Sequence, residues 1–231
     1  MTYDLLIGDR AYSSWSLRGW LLFAAFDIPV RVSVAEMYDD GFRATVRGWA
    51  PHARTVPVAK APSGAVWSDS LAIAEGLAEA HPEAGHWPAE PVPRAFARSL
   101  AAEMHSGFAA LRAACPMNLR VRWRGFVPDD AVRADLARLE ALWTHARGMA
   151  GQGPWLFGAY SAADAAFAPV AMRIAGYALP VGADAQAYVD AHLAHAPLRD
   201  WRAEGERRDR TLAVYDMGLP TEPFPIAPPD R

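Results

Sequence analysis

Apolar residues 3–8 run almost unbroken to Gly8, and from Ser14 the period changes. Leu17, Trp20, Leu21 and Ala24 fall at the i, i+3, i+4, i+7 spacing of an amphipathic helix. After Asp27 and Pro29 it changes again, to Val30, Val32 and Val34 alternating with Arg31 and Ser33, the period of a strand covered on one face. Strand, helix and strand in this order make a right-handed crossover between parallel strands. A loop or short helix over residues 39–51 leads to Thr55-Val56-Pro57-Val58-Ala59-Lys60, and a turn at Pro62-Ser63-Gly64 joins that run to Ala65-Val66-Trp67 as a hairpin. Ser68-Asp69 then opens a helix whose inward face carries Ile73, Ala74 and Leu77. The predicted order over residues 1–81 is β-α-β-α-β-β-α.

Residues 82–93 hold Pro82, Pro88, Pro91 and Pro93, which predicts an extended linker. Beyond it, residues 94–231 read as all-helical. Phe96, Leu100, Met104, Phe108 and Leu111 mark one helix, and Val132, Leu136, Leu139 and Trp143 a second. Ser161-Ala162-Ala163-Asp164 is a capping pattern opening a third, with Pro169 inside it as a kink. Shorter helices over residues 185–194 and 198–208 complete the bundle, and five prolines make residues 220–231 an extended tail.

Composition narrows the function classes. A net charge of -3 gives no footprint for nucleic acid, and the arginines between residues 202 and 210 are mixed with Glu204, Glu206 and Asp209, the pattern of a solvated helical face. A single cysteine, Cys115, excludes an internal disulfide and any multi-cysteine metal site, and reads as a buried, inert side chain. No basic leader and no apolar run long enough for a membrane span is present, so a cytoplasmic protein without membrane contact or metal is expected.

Four local motifs fall in this framework: Tyr12-Ser13-Ser14-Trp15-Ser16-Leu17-Arg18-Gly19-Trp20-Leu21, then Val56-Pro57-Val58, then Trp67-Ser68-Asp69-Ser70-Leu71-Ala72-Ile73, then Ser161-Ala162-Ala163-Asp164. Their joint order resembles the glutathione S-transferase superfamily, in its serine-type, zeta-like or related bacterial classes. The resemblance covers residues 3–210. It implies a thioredoxin-like α/β N-terminal domain that binds glutathione, an all-α helical-bundle domain that receives a second substrate, and a homodimer. Glutathione is then the co-substrate, and the partner is a small, apolar electrophile. Two departures from the zeta pattern, the missing cysteine of its first motif and a longer spacing from Pro51 to Val56, set maleylacetoacetate-type isomerisation behind transfer. A non-catalytic glutathione- or partner-binding protein of the same fold is the other alternative.

By that resemblance Val56 pairs its backbone with the cysteinyl segment of glutathione beside a cis Pro57. Asp69 and Ser70, opening a helix, hold the γ-glutamyl end: the amide groups and hydroxyl suit its carboxylate, the Asp69 charge its amine. Plain helix capping is the competing reading of both residues. For the thiol, Ser13 and Ser14 are the catalytic candidates because they sit where the first strand gives way to the first helix. One register places Ser13 and Ser16 at the ends of a Cys-x-x-Cys pair and removes disulfide chemistry. A register shifted by one residue makes Ser14 the thiol partner and Ser13 a helix cap. Ser13 is preferred, since a residue just before a helix is placed to aim its hydroxyl outward. Trp15, Arg18 and His105 are candidates for lining the second-substrate site, against the plainer readings of an ion-paired arginine and a structural histidine.

Overall fold

The computed structural model describes residues 2–149, 152–208 and 210–225. Strand β1 (Tyr3–Ile7) pairs in parallel with β2 (Val30–Val34), and on its other side in antiparallel with β3 (Val58–Lys60), which turns into β4 (Val66–Trp67). The sheet order is β2-β1-β3-β4. Leu5, Leu6 and Ile7 of the central strand are fully buried, as a strand covered on both faces requires, whereas edge strand β2 keeps its alternation. Helix α1 (Ser14–Ala24) and helix α3 (Ser70–Ala80) pack together, while α2 (Phe42–Trp49) has its own small cluster through Val46. Gly19 lets α1 approach the turn before β3: a Cβ there would stand 2.7 Å from the Pro57 ring.

The stretch 82–93 is not an extended linker. A 3₁₀ turn occupies Pro82–Ala84, and α4 (Pro91–Ser106) begins inside it, since proline in a first helical turn has no N–H to lose. The single helix expected through Leu111 is two. Gly107 and Phe108, the latter at φ 56°, separate α4 from α5 (Ala109–Ala114), because the apolar spacing carries on across a backbone that does not. Helices α6 (Asp130–Gly148), α7 (Ala162–Tyr177), α8 (Ala183–Ala194) and α9 (Ala196–Glu206) follow.

The bundle is not purely helical either. Strand β5 (Val121–Trp123) pairs antiparallel with β6 (Thr221–Pro223), so the start of the expected free tail is a ribbon strand, while residues 226–231 of that expectation lie outside the described residues. Of arginines 202–210, only Arg207, paired with Glu204, keeps to the solvated face expected. Arg202 is buried and donates to the Leu119 carbonyl, and Arg208 and Arg210 clamp Glu36 of the first domain. Among the described residues no helix is long and apolar enough to cross a membrane.

Helix α7 joins the two layers, packing on α1, α4 and α8 with all sixteen residues buried. Its first turn is fixed by Asp164. The Ser161 N–H (2.9 Å) and hydroxyl (2.8 Å), the Leu156 N–H (3.0 Å) and the Tyr188 hydroxyl (2.9 Å) all donate to that carboxylate.

Candidate functional site

A cavity of about 1110 Å³ opens between the two layers. Ser13, Ser14, Trp15 and Arg18 line it from α1, Arg54, Thr55 and Val56 from the loop before β3, and Arg112, Met117 and Arg173 from the helical side. Tyr215 of the C-terminal segment closes one end; its ring lies tilted against that of Tyr12 at 4.8 Å between ring centres, and its hydroxyl meets that of Tyr38 at 3.4 Å.

The two serines have separate tasks. Ser13 is the N-cap of α1: its Oγ accepts the Ser16 N–H (3.3 Å) and donates to the Ser16 Oγ (2.8 Å), which in turn accepts the Gly8 N–H. The outward aim expected of Ser13 is therefore absent, because the cap turns its hydroxyl back onto the helix. Ser14 follows it at the first helical position, and its Oγ accepts from Nη2 of Arg173 at 3.0 Å. That bond leaves the Ser14 proton uncommitted beside the cavity and the amide end of α1. Arg173 was not among the residues singled out from the sequence. It is held in place by the Cys115 carbonyl at Nε (2.8 Å) and the Pro169 carbonyl at Nη1 (3.1 Å).

The peptide between Val56 and Pro57 is cis, which sets Val56 on the cavity wall. Asp69 is the N-cap of α3: its Oδ1 accepts the Leu71 N–H at 2.8 Å, and its Oδ2 lies 3.4 Å from Nε2 of His105. Ser70 is buried behind it at the first helical position. Neither lines the large cavity. Ser70 borders instead a small crevice that it shares with Arg18 and His105, and Arg18 lines both spaces. His105 stands edge-on to Trp15 at 4.8 Å. Thus Trp15, Arg18 and His105 are brought together, with His105 facing Asp69 and Trp15.

Arginines outnumber acids on the cavity wall, where Asp39 and Asp40 are the carboxylates. Burial first, and then the nearby Arg173 and Arg112, bring the Arg18 guanidinium down to about 9; burial and Arg112 bring Arg173 down to about 10. Both stay protonated at neutral pH. Burial pushes the Cys115 thiol up to about 12, consistent with an inert side chain. Instead of a purely apolar pocket, the wall mixes Met37, Phe42 and Met117 with five arginines. Among the described residues no group of three or more His, Cys, Asp or Glu side chains is placed to hold a metal ion.

A strand-helix junction with serines, a cis proline and a capped helix recur together in one known domain. Residues 12–80 match the family described as glutathione S-transferase, N-terminal domain. These residues form a glutathione transferase domain. The chain as a whole has the glutathione transferase fold. It is similar to a glutathione transferase homolog from Burkholderia gl BGR1 with bound glutathione, at 21% identity over 90% of this chain and 100% of that one, with a TM-score of 0.66. It is also similar to glutathione transferase Omega 2S from Trametes versicolor in complex with 2,4-dihydroxybenzophenone, at 20% identity over 89% and 95% of the chains and a TM-score of 0.63. A glutathione transferase from Methylococcus capsulatus str. Bath gives 17% identity, 89% and 100% coverage and a TM-score of 0.62. No curated protein matches the chain by sequence.

Proposed function

We propose that the protein is a glutathione transferase that binds glutathione against the cis-proline wall, ionises its thiol at the start of α1, and adds it to a small electrophile presented by the helical domain. One observation carries this reading: the Ser14 hydroxyl accepts from Arg173 at 3.0 Å on the wall of a cavity that Val56 also lines. A hydroxyl whose oxygen already accepts from a cation is the stronger donor to a thiolate. A free thiol near pKa 8.5 is only a few per cent ionised at neutral pH, and each unit of lowering needs about 1.4 kcal/mol. A hydrogen bond to a charged acceptor contributes roughly 1.5–3 kcal/mol, more than the 0.3–1 kcal/mol of a helix N-terminus at a surface. Ser14 is thus the thiol partner in this reading, and Ser13 the residue that holds the turn.

The γ-glutamyl group is assigned to Asp69, Ser70 and the amide end of α3, and the cysteinyl backbone to Val56. His105 acts through Asp69, holding its Oδ2 while Oδ1 caps the helix. The resemblance to the family supports a cytoplasmic homodimer. Titrating the absorbance of bound thiolate in Ser14→Ala and Ser13→Ala tests the assignment. Ser14→Ala is expected to raise the thiol pKa by one to two units and Ser13→Ala to raise it far less. A rise in Ser13→Ala alone transfers the role to Ser13. A protein that is not retained on immobilised glutathione ends the reading altogether.

A further inference from the structure

We propose that the second substrate is itself an anion: an electrophile bearing a carboxylate, received by Arg112 and Arg173 with Arg18 behind them. This rests on the transferase reading and specifies its substrate class. The argument starts from which arginines the chain pairs. Arg31, Arg98 and Arg138, all on the surface, each form a two-pronged bond to a carboxylate, with Asp4, Glu75 and Glu103. The arginines of the cavity do the reverse. Arg18 is 3% exposed, its Nε has no partner, and it lies 4.5 Å from the centre of the Trp15 ring, with Asp69 near enough to favour its charge but forming no ion pair with it. Arg112 spans the carbonyls of His105 and Gly107 at 3.3 and 3.2 Å and lies 5.2 Å from the centre of the same ring. Arg173 bonds only uncharged acceptors: two carbonyls and the Ser14 hydroxyl. None of the three has a carboxylate partner among the described residues.

An exposed unpaired arginine is unremarkable, but buried ones such as Arg18 and Arg173 are costly, and with the half-buried Arg112 beside them the three repel one another. Such an arrangement is relieved when an anion enters. Glutathione brings two carboxylates: the transferase reading puts the γ-glutamyl one at the α3 amide end, and Arg43 and Arg54, on the Val56 side of the cavity, are there for the glycyl one. Arg112 and Arg173 belong to the opposite, helical side, where Ala113, Pro116 and Met117 supply an apolar bed. An organic acid with an apolar body fits that wall, carboxylate on the arginines and reactive carbon toward Ser14. The chain carries a net charge of -3, so the cationic cavity also stands out electrostatically and draws anions in.

The test uses 4-chloro-3-nitrobenzoate and its methyl ester, the ester being the intrinsically more activated ring. In both, the glutathione thiolate forms a carbon–sulfur bond, the carbon–chlorine bond breaks, and chloride leaves with the electron pair. With glutathione saturating, kcat/KM for the carboxylate is expected to exceed that for the ester by about tenfold or more, equivalent to about 1.4 kcal/mol. Arg112→Gln is expected to collapse that ratio, Arg112→Lys to keep the larger part of it, and high salt to shrink it. The two S-aryl glutathione conjugates, titrated by intrinsic tryptophan fluorescence, give the same comparison without turnover. Equal binding of the two conjugates overturns the inference and leaves the glutathione site standing. Failure of both to bind removes the glutathione reading itself. A carboxylate preference undiminished in Arg112→Gln and in Arg173→Gln also overturns the inference.

Discussion

A hydroxyl at the start of a helix can serve the backbone or the solvent space in front of it, and Ser13 and Ser14 divide those tasks. Ser13 spends its oxygen on the Ser16 N–H and its proton on the Ser16 Oγ. Ser13→Ala is therefore expected to cost about 1 kcal/mol of stability, read as a fall in Tm of about 2–4 °C, with only a minor loss of activity. Ser14→Ala should behave oppositely, with Tm little changed and kcat/KM for conjugation lowered about 10- to 100-fold, the worth of one charge-assisted hydrogen bond. The sequence shows both serines at the strand-to-helix junction and cannot rank them. What ranks them is Arg173, 159 positions away, whose partner is fixed only when α7 packs on α1. His105 and Asp69 are likewise visible as candidates, but their pairing is not. His105→Ala is expected to raise KM for glutathione several-fold and leave kcat nearly unchanged, as loss of a positioning contact does.

Among elements, α7 was the most legible and carries the largest expected energy. Its capping pattern, Ser161 to Asp164, stands in the sequence; that four donors converge on the Asp164 carboxylate does not, because Leu156 and Tyr188 arrive from outside the motif. Asp164→Ala orphans those buried donors and is expected to cost about 3 kcal/mol or more, a fall in Tm of roughly 10 °C by calorimetry. Elements whose apolar spacing continued across a backbone break were misjudged. Phe96, Leu100 and Met104 precede that break and Phe108 and Leu111 follow it, all facing one core, so periodicity does not report the turn at Gly107 and Phe108. Strands β5 and β6 were invisible for another reason: each is three residues long, and they lie about a hundred residues apart in the chain, so pairing alone makes them strands.

At the scale of the molecule, acid is the natural stress. His192, buried, and His195, half-buried, pack among Trp155, Tyr160 and Tyr188, and burial brings them down to about 3 and about 4. Folding holds them neutral, so their contribution is complete above the ordinary histidine value of 6.5 and is lost as pH falls from there toward 4 and 3. Asp164, raised to about 6 by burial, acts in the opposite sense: its proton favours the folded state as pH falls from 6 toward 3.8. His86, also buried and lowered by burial, acts in the same sense as the other two histidines, so three histidines against one carboxylate leave a net loss. Urea unfolding across pH 6.5 to 4 is expected to show stability falling with about one or more net protons taken up on unfolding, and His192→Phe should reduce that slope.

The lining of the cavity runs from Tyr12 to Tyr215 along the chain. A ribosome makes these walls in that order. A nascent chain that has finished β1 to α3 presents both serines, the cis-proline turn and the Asp69-capped helix, but lacks Arg173 behind Ser14, which is some ninety residues further along. Tyr215 comes later again. In the transferase reading, the growing polypeptide therefore passes through a long interval before the Ser14–Arg173 pair forms, and reactivity would begin only near the end of synthesis.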